Sequence, residues 1–385
     1  MNEGLIHIQQ SCIDKHLPFV TFRLPQQDHS VTYIQTTPGF VNWNSIRDIS
    51  GITGFIMAPF DIRNGHRYLL IKPDMVIPGN RITPAIIREV ERLEPRPAQL
   101  WNGSFPVVTG KETYIRQVEA IKHSIENGAF QKAVLSRISV VKGETIPRIP
   151  RLYQTICRRH PNAFAYLFKS DDQFWIGASP EPLLQRREGK LSTVSLAGTR
   201  PYAERHMDIN RWTAKEVLEQ EYVTRYIHDV LRAFDIRDYR VSSPYVKKAG
   251  NLLHLRTDFS FRVEKIGERL WELVDALHPT PAVAGQPKED AIGFIKKLEP
   301  HDRGYYTGFL GPVSSDMELD LFVNLRCMKI DTGYLSLYVG GGITLDSDPE
   351  DEWHETCWKA ESLMKILRTH IKNLSLSDAP QPTYR

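Results

Sequence analysis

Two carboxylates and an amine share one face of a predicted helix near the end of the chain. Asp348 and Pro349 are typical of a capped helix start. Glu352, Glu355 and Lys359 follow at positions i, i+3 and i+7, so the three side chains lie on one face. Carboxylates at this spacing are hard oxygen ligands for Mg²⁺, which also binds water and substrate oxygens. The spacing is equally typical of a solvated Glu355–Lys359 pair, and it does not decide between the two.

Three consecutive glycines, Gly340, Gly341 and Gly342, close the predicted strand just upstream of this helix. Without side chains, their backbone N–H groups can approach an anionic ligand such as a carboxylate or a phosphate. A glycine triplet is also typical of a bulge or a turn. It is not a dinucleotide-binding motif, because no GxGxxG opens a helix here.

A single lysine lies on an otherwise mostly apolar strand face. The segment FQKAVLSRISVV predicts a strand in which Lys132 shares a face with Phe130, Val134 and Ile138. Burial disfavours an ammonium group, and a neutral lysine amine is a base. The alternative is that the stem of Lys132 packs on the apolar face while its amine reaches solvent.

Four other polar residues have simple structural interpretations. The sequence GASPEPLL predicts a short helix whose first turn holds Glu181. Glu219 is expected on a helix surface, and His254 on the exposed polar face of a strand. Arg326 is expected on a strand face, where a lone arginine favours a carboxylate partner from the protein or from a substrate.

The pattern of elements predicts an α+β architecture. Several strand candidates follow one another without a helical crossover, including the long segments LLHLRTDFSFRV and ELDLFVNLRCMKI. We therefore expect mostly antiparallel sheets with helices packed outside them. Helices are predicted over residues 208–234, 268–277, 288–298 and 349–373.

Composition excludes several classes of protein. The 385 residues carry a net charge of +3, far from the basic excess of a nucleic-acid-binding protein. No stretch is apolar for long enough to span a membrane, and no signal peptide is recognisable, so we expect a cytoplasmic protein without a membrane partner. The four cysteines are scattered without a CxxC pair, which disfavours disulfides and thiolate metal sites.

The order of ten motifs carries a family resemblance. Between about Lys111 and Leu367, the chain resembles the chorismate-binding enzymes, and within that family the isochorismate synthases. The motifs are QKAVLSR, GASPEPLL, LAGTRP, EQEYV, LLHLRTDFS, LHPTPAVAGQP, HDRGYYTGFLGP, FVNLRCMKI, YVGGGI and SDPEDEWHETCWKA. The resemblance implies a large single-domain α/β sandwich of two mostly antiparallel sheets flanked by helices. Residues 1–385 would form this one domain, with a less typical N-terminal part, 1–105, and a catalytic core, 106–372.

The resemblance also implies a role for each site residue. Lys132 would be the base that activates a water molecule for attack at C2 of chorismate, and Glu181 the acid that assists loss of the C4 hydroxyl. Three glutamates would bind Mg²⁺: Glu219, Glu352 and Glu355. The substrate would be bound by Gly198, His254, Arg326, Gly340, Gly341, Gly342 and Lys359.

Other activities within the family remain open. Anthranilate synthases use ammonia and generally lack the lysine found here at position 132, which favours hydroxylation and predicts no glutaminase subunit. Salicylate synthases keep this lysine and then eliminate pyruvate from isochorismate, so the sequence separates them poorly. A non-catalytic chorismate-binding module is a third possibility, disfavoured because costly buried charges are retained. We expect a monomer, and the sequence does not separate a menaquinone pathway from a siderophore pathway.

Overall fold

A computed structural model describes residues 2–39, 41–43, 45–49, 51–97, 105–143 and 148–377. Their strands are, in chain order, β1 (Phe19–Arg23), β2 (Val31–Ile34), β3 (Val41–Trp43), β4 (Gly54–Ala58), β5 (Tyr68–Ile71), β6 (Met75–Pro78), β7 (Lys132–Lys142), β8 (Phe164–Lys169), β9 (Phe174–Ser179), β10 (Pro182–Arg187), β11 (Lys190–Pro201), β12 (Arg240–Val241), β13 (Tyr245–Ala249), β14 (Leu252–Arg262), β15 (Gly285–Gln286), β16 (Phe309–Val313), β17 (Leu319–Val323), β18 (Cys327–Asp331), β19 (Tyr334–Ile343) and β20 (Ser375–Ser377). Their α-helices are α1 (Glu3–Asp14), α2 (Pro84–Glu91), α3 (Lys111–Glu126), α4 (Ile149–Arg159), α5 (Ala214–Ala233), α6 (Leu270–Leu277), α7 (Lys288–Leu298) and α8 (Pro349–Leu367).

The strands form two ten-stranded sheets. The first sheet has the order β15-β7-β19-β18-β9-β8-β1-β2-β6, and β20 pairs with β7. The second has the order β12-β14-β11-β10-β17-β16-β4-β5-β3, and β13 pairs with β14. The strand pairs of the described residues are antiparallel. The predicted α+β architecture with two antiparallel sheets is confirmed.

An aromatic layer joins the two sheets. Phe22 and Phe164 from the first sheet pack against Phe55 and Phe322 from the second, and the rings of Phe164 and Phe322 stack with centroids 4.3 Å apart. Helices cover the outer faces: α5 and α6 pack on the second sheet, and α1, α4 and α8 on the first. Both faces of the central strands are therefore buried, which is why strand β7 is buried along almost its whole length.

The residues just before the last helix determine where it starts. The Asp348 carboxylate accepts hydrogen bonds from the N–H groups of Glu350 and Asp351, and Pro349 occupies the first turn, as predicted. The helix ends at Leu367, earlier than the predicted residue 373. Helix α5 likewise starts later than predicted, because the Glu216 side chain binds the N–H of Thr213 (2.7 Å) and fixes the start there.

Three local predictions are wrong. Glu181 lies in the link between β9 and β10, which belong to different sheets, and not in a short helix. The segment predicted as one strand from Glu318 forms two, β17 and β18, because the chain passes from one sheet to the other between them. Arg326 lies in that break with a positive φ of 51° and not on a strand face.

No α-helix in the described part of the chain has both the length and the apolar character of a membrane-spanning segment.

Candidate active site

A small cavity of about 70 Å³ is lined by residues of both sheets and of helices α5 and α8. Eight of the predicted site residues line it: Glu181, Gly198, Glu219, His254, Arg326, Gly340, Gly342 and Lys359. The other four, Lys132, Gly341, Glu352 and Glu355, contact or face these residues. The fold thus brings together side chains from distant parts of the sequence.

Lys132 starts strand β7 and is fully buried. Its Nζ lies 3.2 Å from Oε1 of Glu219, an ion-pair distance, but no described residue meets Nζ with the geometry of a hydrogen bond. The adjacent strand β19 passes directly beside this pair. A Cβ at Gly342 would clash with Oε1 of Glu219 and lie 2.9 Å from Cε of Lys132. A side chain at this position would displace the ends of the Glu219 and Lys132 side chains from their present arrangement.

Glu181 is buried in the wall of the cavity, and hydrogen bonds hold its backbone where the chain crosses between the sheets. Its carbonyl accepts a hydrogen bond from the N–H of Val323 (2.9 Å), and Oγ of Ser179 donates to the carbonyl of Val323 (2.5 Å). Burial raises the pKa of Glu181 to about 8, although Lys132, Lys359 and Arg256 act in the opposite direction. The carboxyl group therefore keeps its proton at neutral pH, as a general acid must.

Three buried glutamates each contact a lysine. Glu219 contacts Lys132 (3.2 Å), and Glu355 contacts Lys359 (2.7 Å). Glu352 is bound by Lys215 and accepts a hydrogen bond from Oγ of Ser347 (2.6 Å). The Glu355–Lys359 pair, which was one of the two alternatives that the spacing left open, is present. Both of its side chains are largely buried, so the pair is not solvated.

The pKa values of these glutamates depend on their burial and on the charged groups close to them. Burial and the neighbouring Glu355 carboxylate raise the pKa of Glu352 to about 7, against the opposing effect of Lys215. Burial also opposes ionisation of Glu219, but Lys132, Lys215 and Lys359 outweigh it and lower the pKa of that carboxyl. Several acidic groups are thus held close together, and neighbouring lysines partly compensate their charge.

The residues fit a magnesium ion in the chemistry of their donor atoms. Oε2 of Glu352 is buried without a hydrogen-bond partner among the described residues. It faces Gly341, where a Cβ would lie 3.0 Å from Oε2 of Glu352 and 3.7 Å from Oε1 of Glu355. Carboxylate oxygens in this position suit a hard divalent cation. In the present side-chain arrangement the described residues contain no preformed cluster of three metal ligands, because each glutamate is turned toward its lysine.

Arg326 gives one end of the cavity a positive charge, and His254 lies beside it. Nδ1 of His254 lies 2.9 Å from the carbonyl of Gly198, so it must carry a proton and donate it there. Nε2 is then left as an acceptor for Nη2 of Arg326 at 3.4 Å. Burial, together with Arg326 and Lys359, lowers the pKa of His254 to about 3, so the ring is neutral.

Arg326 has no carboxylate within ion-pair distance among the described residues. Burial lowers its pKa to about 10, which leaves the guanidinium charged at neutral pH. The sequence left two partners open for Arg326, a carboxylate of the protein or a carboxylate of a substrate. The described structure contains no protein carboxylate that pairs with it. The guanidinium is available to a carboxylate of a ligand in the cavity.

Sequence reasoning missed Lys215, Tyr306 and Thr307. Lys215 binds Glu352, and the other two line the cavity. Lys215 lies one turn before Glu219 on α5, a helical spacing that could have identified it. Tyr306 and Thr307 lie within the recognised motif HDRGYYTGFLGP, but their side chains have no chemical signal of their own.

Residues 84–368 match the family model described as chorismate binding enzyme. The chain belongs to the chorismate-binding enzyme family. It is 28% identical to the vibriobactin-specific isochorismate synthase of Vibrio cholerae, over 80% of this chain and 78% of that protein. It is also 28% identical to the salicylate biosynthesis isochorismate synthase of Pseudomonas aeruginosa, over 85% of this chain and 71% of that protein.

A solved structure supports the fold over nearly all of the chain. The crystal structure of a Bacillus anthracis protein described as a 2,3-dihydroxybenzoate-specific isochorismate synthase superimposes with a TM-score of 0.76 at 25% identity. The match covers 96% of this chain and 100% of that one. The expected fold of a chorismate-binding enzyme, a sandwich of two antiparallel sheets flanked by helices, is confirmed.

Proposed function

We propose that this protein is an isochorismate synthase, an isomerase that converts chorismate into isochorismate with the help of Mg²⁺. The observation that carries the proposal is a cavity lined by the protonated Glu181, Arg326 and Glu219, with the buried Lys132 in contact with Glu219. The names of the relatives from Vibrio cholerae and Pseudomonas aeruginosa agree with this activity.

The reaction is an allylic substitution on the cyclohexadiene ring. In its uncharged form, the amine of Lys132 accepts a proton from a water molecule, whose oxygen forms a bond to C2. The ring double bonds shift, and the C4–O bond breaks. Glu181 donates its proton to the departing C4 hydroxyl, which leaves as water. One water molecule is consumed and one released, so chorismate and isochorismate are isomers.

The remaining residues bind and orient the substrate. Arg326 and Lys359 bind its carboxylates, and neutral His254 holds the guanidinium of Arg326 in position. The backbone of Gly340, Gly341 and Gly342 allows the ring to approach strand β19. Glu219, Glu352 and Glu355 would hold Mg²⁺, which supplies positive charge against a substrate carboxylate. Because water is the nucleophile, we propose that the protein acts without a glutaminase subunit.

Product analysis tests the proposal. Purified protein is incubated with chorismate and Mg²⁺, with and without ammonia, and the products are separated by liquid chromatography. We expect isochorismate alone under both conditions. Salicylate together with pyruvate would instead identify a salicylate synthase, and unchanged chorismate would identify a non-catalytic binding module.

A further inference from the structure

An open cleft at the surface adjoins the active-site cavity. Its lining comes from the α4–β8 connection, strand β13, and parts of strands β10 and β14. The cleft and the cavity share Pro180, Leu196 and Arg326 in their walls. Arg326 therefore stands at the boundary between the two spaces, where the chain crosses from one sheet to the other.

Positively charged side chains line the cleft. Six of its lining residues carry a positive charge: Arg159, Arg187, Lys247, Lys248, Arg256 and Arg326. No aspartate or glutamate is among the described residues that line it. The whole chain has a net charge of only +3, so this concentration of positive charge is local. We refer to the surface lined by these six residues as the basic cleft.

Part of this charge is not compensated by nearby carboxylates. Arg187 pairs with Asp320 (2.8 Å) and Arg256 with Asp258 (2.6 Å). By contrast, Lys247 and Lys248 have no carboxylate within 4.0 Å in the described structure, and the ammonium of Lys248 lies 3.5 Å from the ring centroid of Tyr202. These two lysines are adjacent on β13 at the rim of the cleft, which gives it a positive mouth.

We propose that the basic cleft captures the dianionic substrate and guides it to Arg326 and the cavity behind it. The inference rests on the proposed function, which makes the substrate a dicarboxylate. Positive charge along a cleft with protein walls focuses the electrostatic potential and raises the local concentration of an anion. The unpaired Lys247 and Lys248 attract the substrate first, and the enclosed guanidinium of Arg326 receives one of its carboxylates.

Charge reversal at the mouth of the cleft tests this inference. The double variant Lys247→Glu/Lys248→Glu is compared with Lys297→Glu/Lys365→Glu, which changes two exposed lysines outside the cleft and alters the net charge equally. At low ionic strength we expect kcat/KM to fall about tenfold in the cleft variant, with kcat unchanged. The difference should shrink in high salt, because screening shortens the range of the field. The control variant and Lys247→Arg/Lys248→Arg should keep the wild-type kcat/KM.

The possible outcomes separate the inference from the proposed function. Equal kcat/KM in the cleft and control variants, with an active wild-type enzyme, would overturn only the capture role of the cleft. A cleft variant that keeps wild-type kcat/KM but loses inhibition by added sulfate would also overturn it, since the cleft would then bind a separate anion. A wild-type protein that does not convert chorismate would overturn the proposed function, and substrate capture with it.

Discussion

At the scale of single residues, the protonation state of Glu181 is the property that most directly links structure to reaction. Its carboxyl group is buried in the wall of the cavity, and burial raises its pKa to about 8. A group with a pKa near the working pH can hold a proton in the resting enzyme and release it in the transition state. The same carboxyl in water, with a pKa of about 4.3, would be almost entirely ionised at neutral pH.

The rate should therefore depend on pH through Glu181. The acid is active when protonated, so the contribution of Glu181 to kcat should be present below pH 8 and should be lost as the pH rises through about 8. Glu181→Gln cannot donate a proton, and kcat should drop by about 100-fold or more. A pH–rate profile of both proteins checks this. A Glu181→Gln variant with wild-type turnover and the same alkaline decline would exclude the acid role.

Replacing Lys132 should separate chemistry from binding. Lys132→Met keeps most of the side-chain volume but removes the amine, so turnover should be lost while chorismate still binds. Single-turnover kinetics and calorimetric titration with chorismate measure the two effects. Lys169→Met, which changes another buried lysine on strand β8, is the matched control and should retain turnover per folded molecule. Unimpaired turnover in Lys132→Met would remove the lysine from the base role.

Residue types and motif order identified the members of the site, but burial could not be predicted for several of them. Glu219 and His254 were expected to be exposed, yet they are 8% and 7% exposed. A side chain that faces an internal polar cavity occupies the same place in the hydrophobic pattern as one that faces water. The family resemblance, and not periodicity, indicated their participation.

At the scale of elements, strand β19 positions the site because three of its residues are glycines. Helices α5 and α8 and strand β7 approach β19 at these glycines. Gly340, Gly341 and Gly342 pair with Ser136, Leu135 and Val134 of β7, so the triplet is a regular part of the sheet. The alternative interpretation of a turn or bulge is therefore wrong. The glycines leave space for the glutamates of α5 and α8 and for Lys132.

Adding one methyl group to this strand should damage the site. In Gly342→Ala, the Cβ would clash with Glu219 and lie 2.9 Å from Cε of Lys132. We expect kcat to fall about tenfold or more and the free energy of unfolding to decrease by about 1–3 kcal/mol. Gly293→Ala on helix α7 is the matched control, because its Cβ would meet no atom within 4 Å. A fully active Gly342→Ala variant would contradict this packing argument.

The face of helix α8 should determine metal dependence. Glu355→Gln keeps the shape of the side chain but loses its charge, so a higher Mg²⁺ concentration should be needed for half-maximal activity. Titration calorimetry with Mg²⁺ checks the binding directly. Glu361→Gln on the same helix, where Glu361 pairs with Arg368, should behave as the wild type. The proposed metal site would be excluded if both variants bound Mg²⁺ like the wild-type protein.

The assignment of segments as helices or strands was more accurate than the prediction of the connections where the chain passes from one sheet to the other. Long strands such as β14 and β19 follow the expected segments, because alternation and β-branched or aromatic residues persist along them. The links that hold Glu181 and Arg326 were misassigned as a helix and a strand face. Their conformations depend on contacts with the other sheet, such as the hydrogen bond from the N–H of Val323 to the carbonyl of Glu181.

At the scale of the whole molecule, the N-terminal part completes both sheets. Strands β1, β2 and β6 extend the first sheet, and β3, β4 and β5 extend the second. Phe22 and Phe55 from this part belong to the aromatic layer between the sheets. The places of these strands in the sheets could not be predicted from the sequence, since they depend on distant partners such as β8 and β16.

Removing the N-terminal part should therefore prevent folding. A fragment of residues 106–385 would expose the edges of β8 and β16 and half of the aromatic layer. We expect it to aggregate or to lack a cooperative thermal transition, as measured by circular dichroism and size-exclusion chromatography. A folded and active fragment would show instead that residues 106–372 form an independent catalytic core.

The central claim is that Lys132 directs a water molecule to C2 while Glu181 releases the C4 hydroxyl. Mass spectrometry of the product formed in isotope-labelled water tests it most directly. We predict that isochorismate made by the wild-type protein carries one labelled oxygen, located at C2, and that Lys132→Met forms no labelled product. Unlabelled isochorismate, or labelled isochorismate formed equally fast without the lysine, would contradict the account.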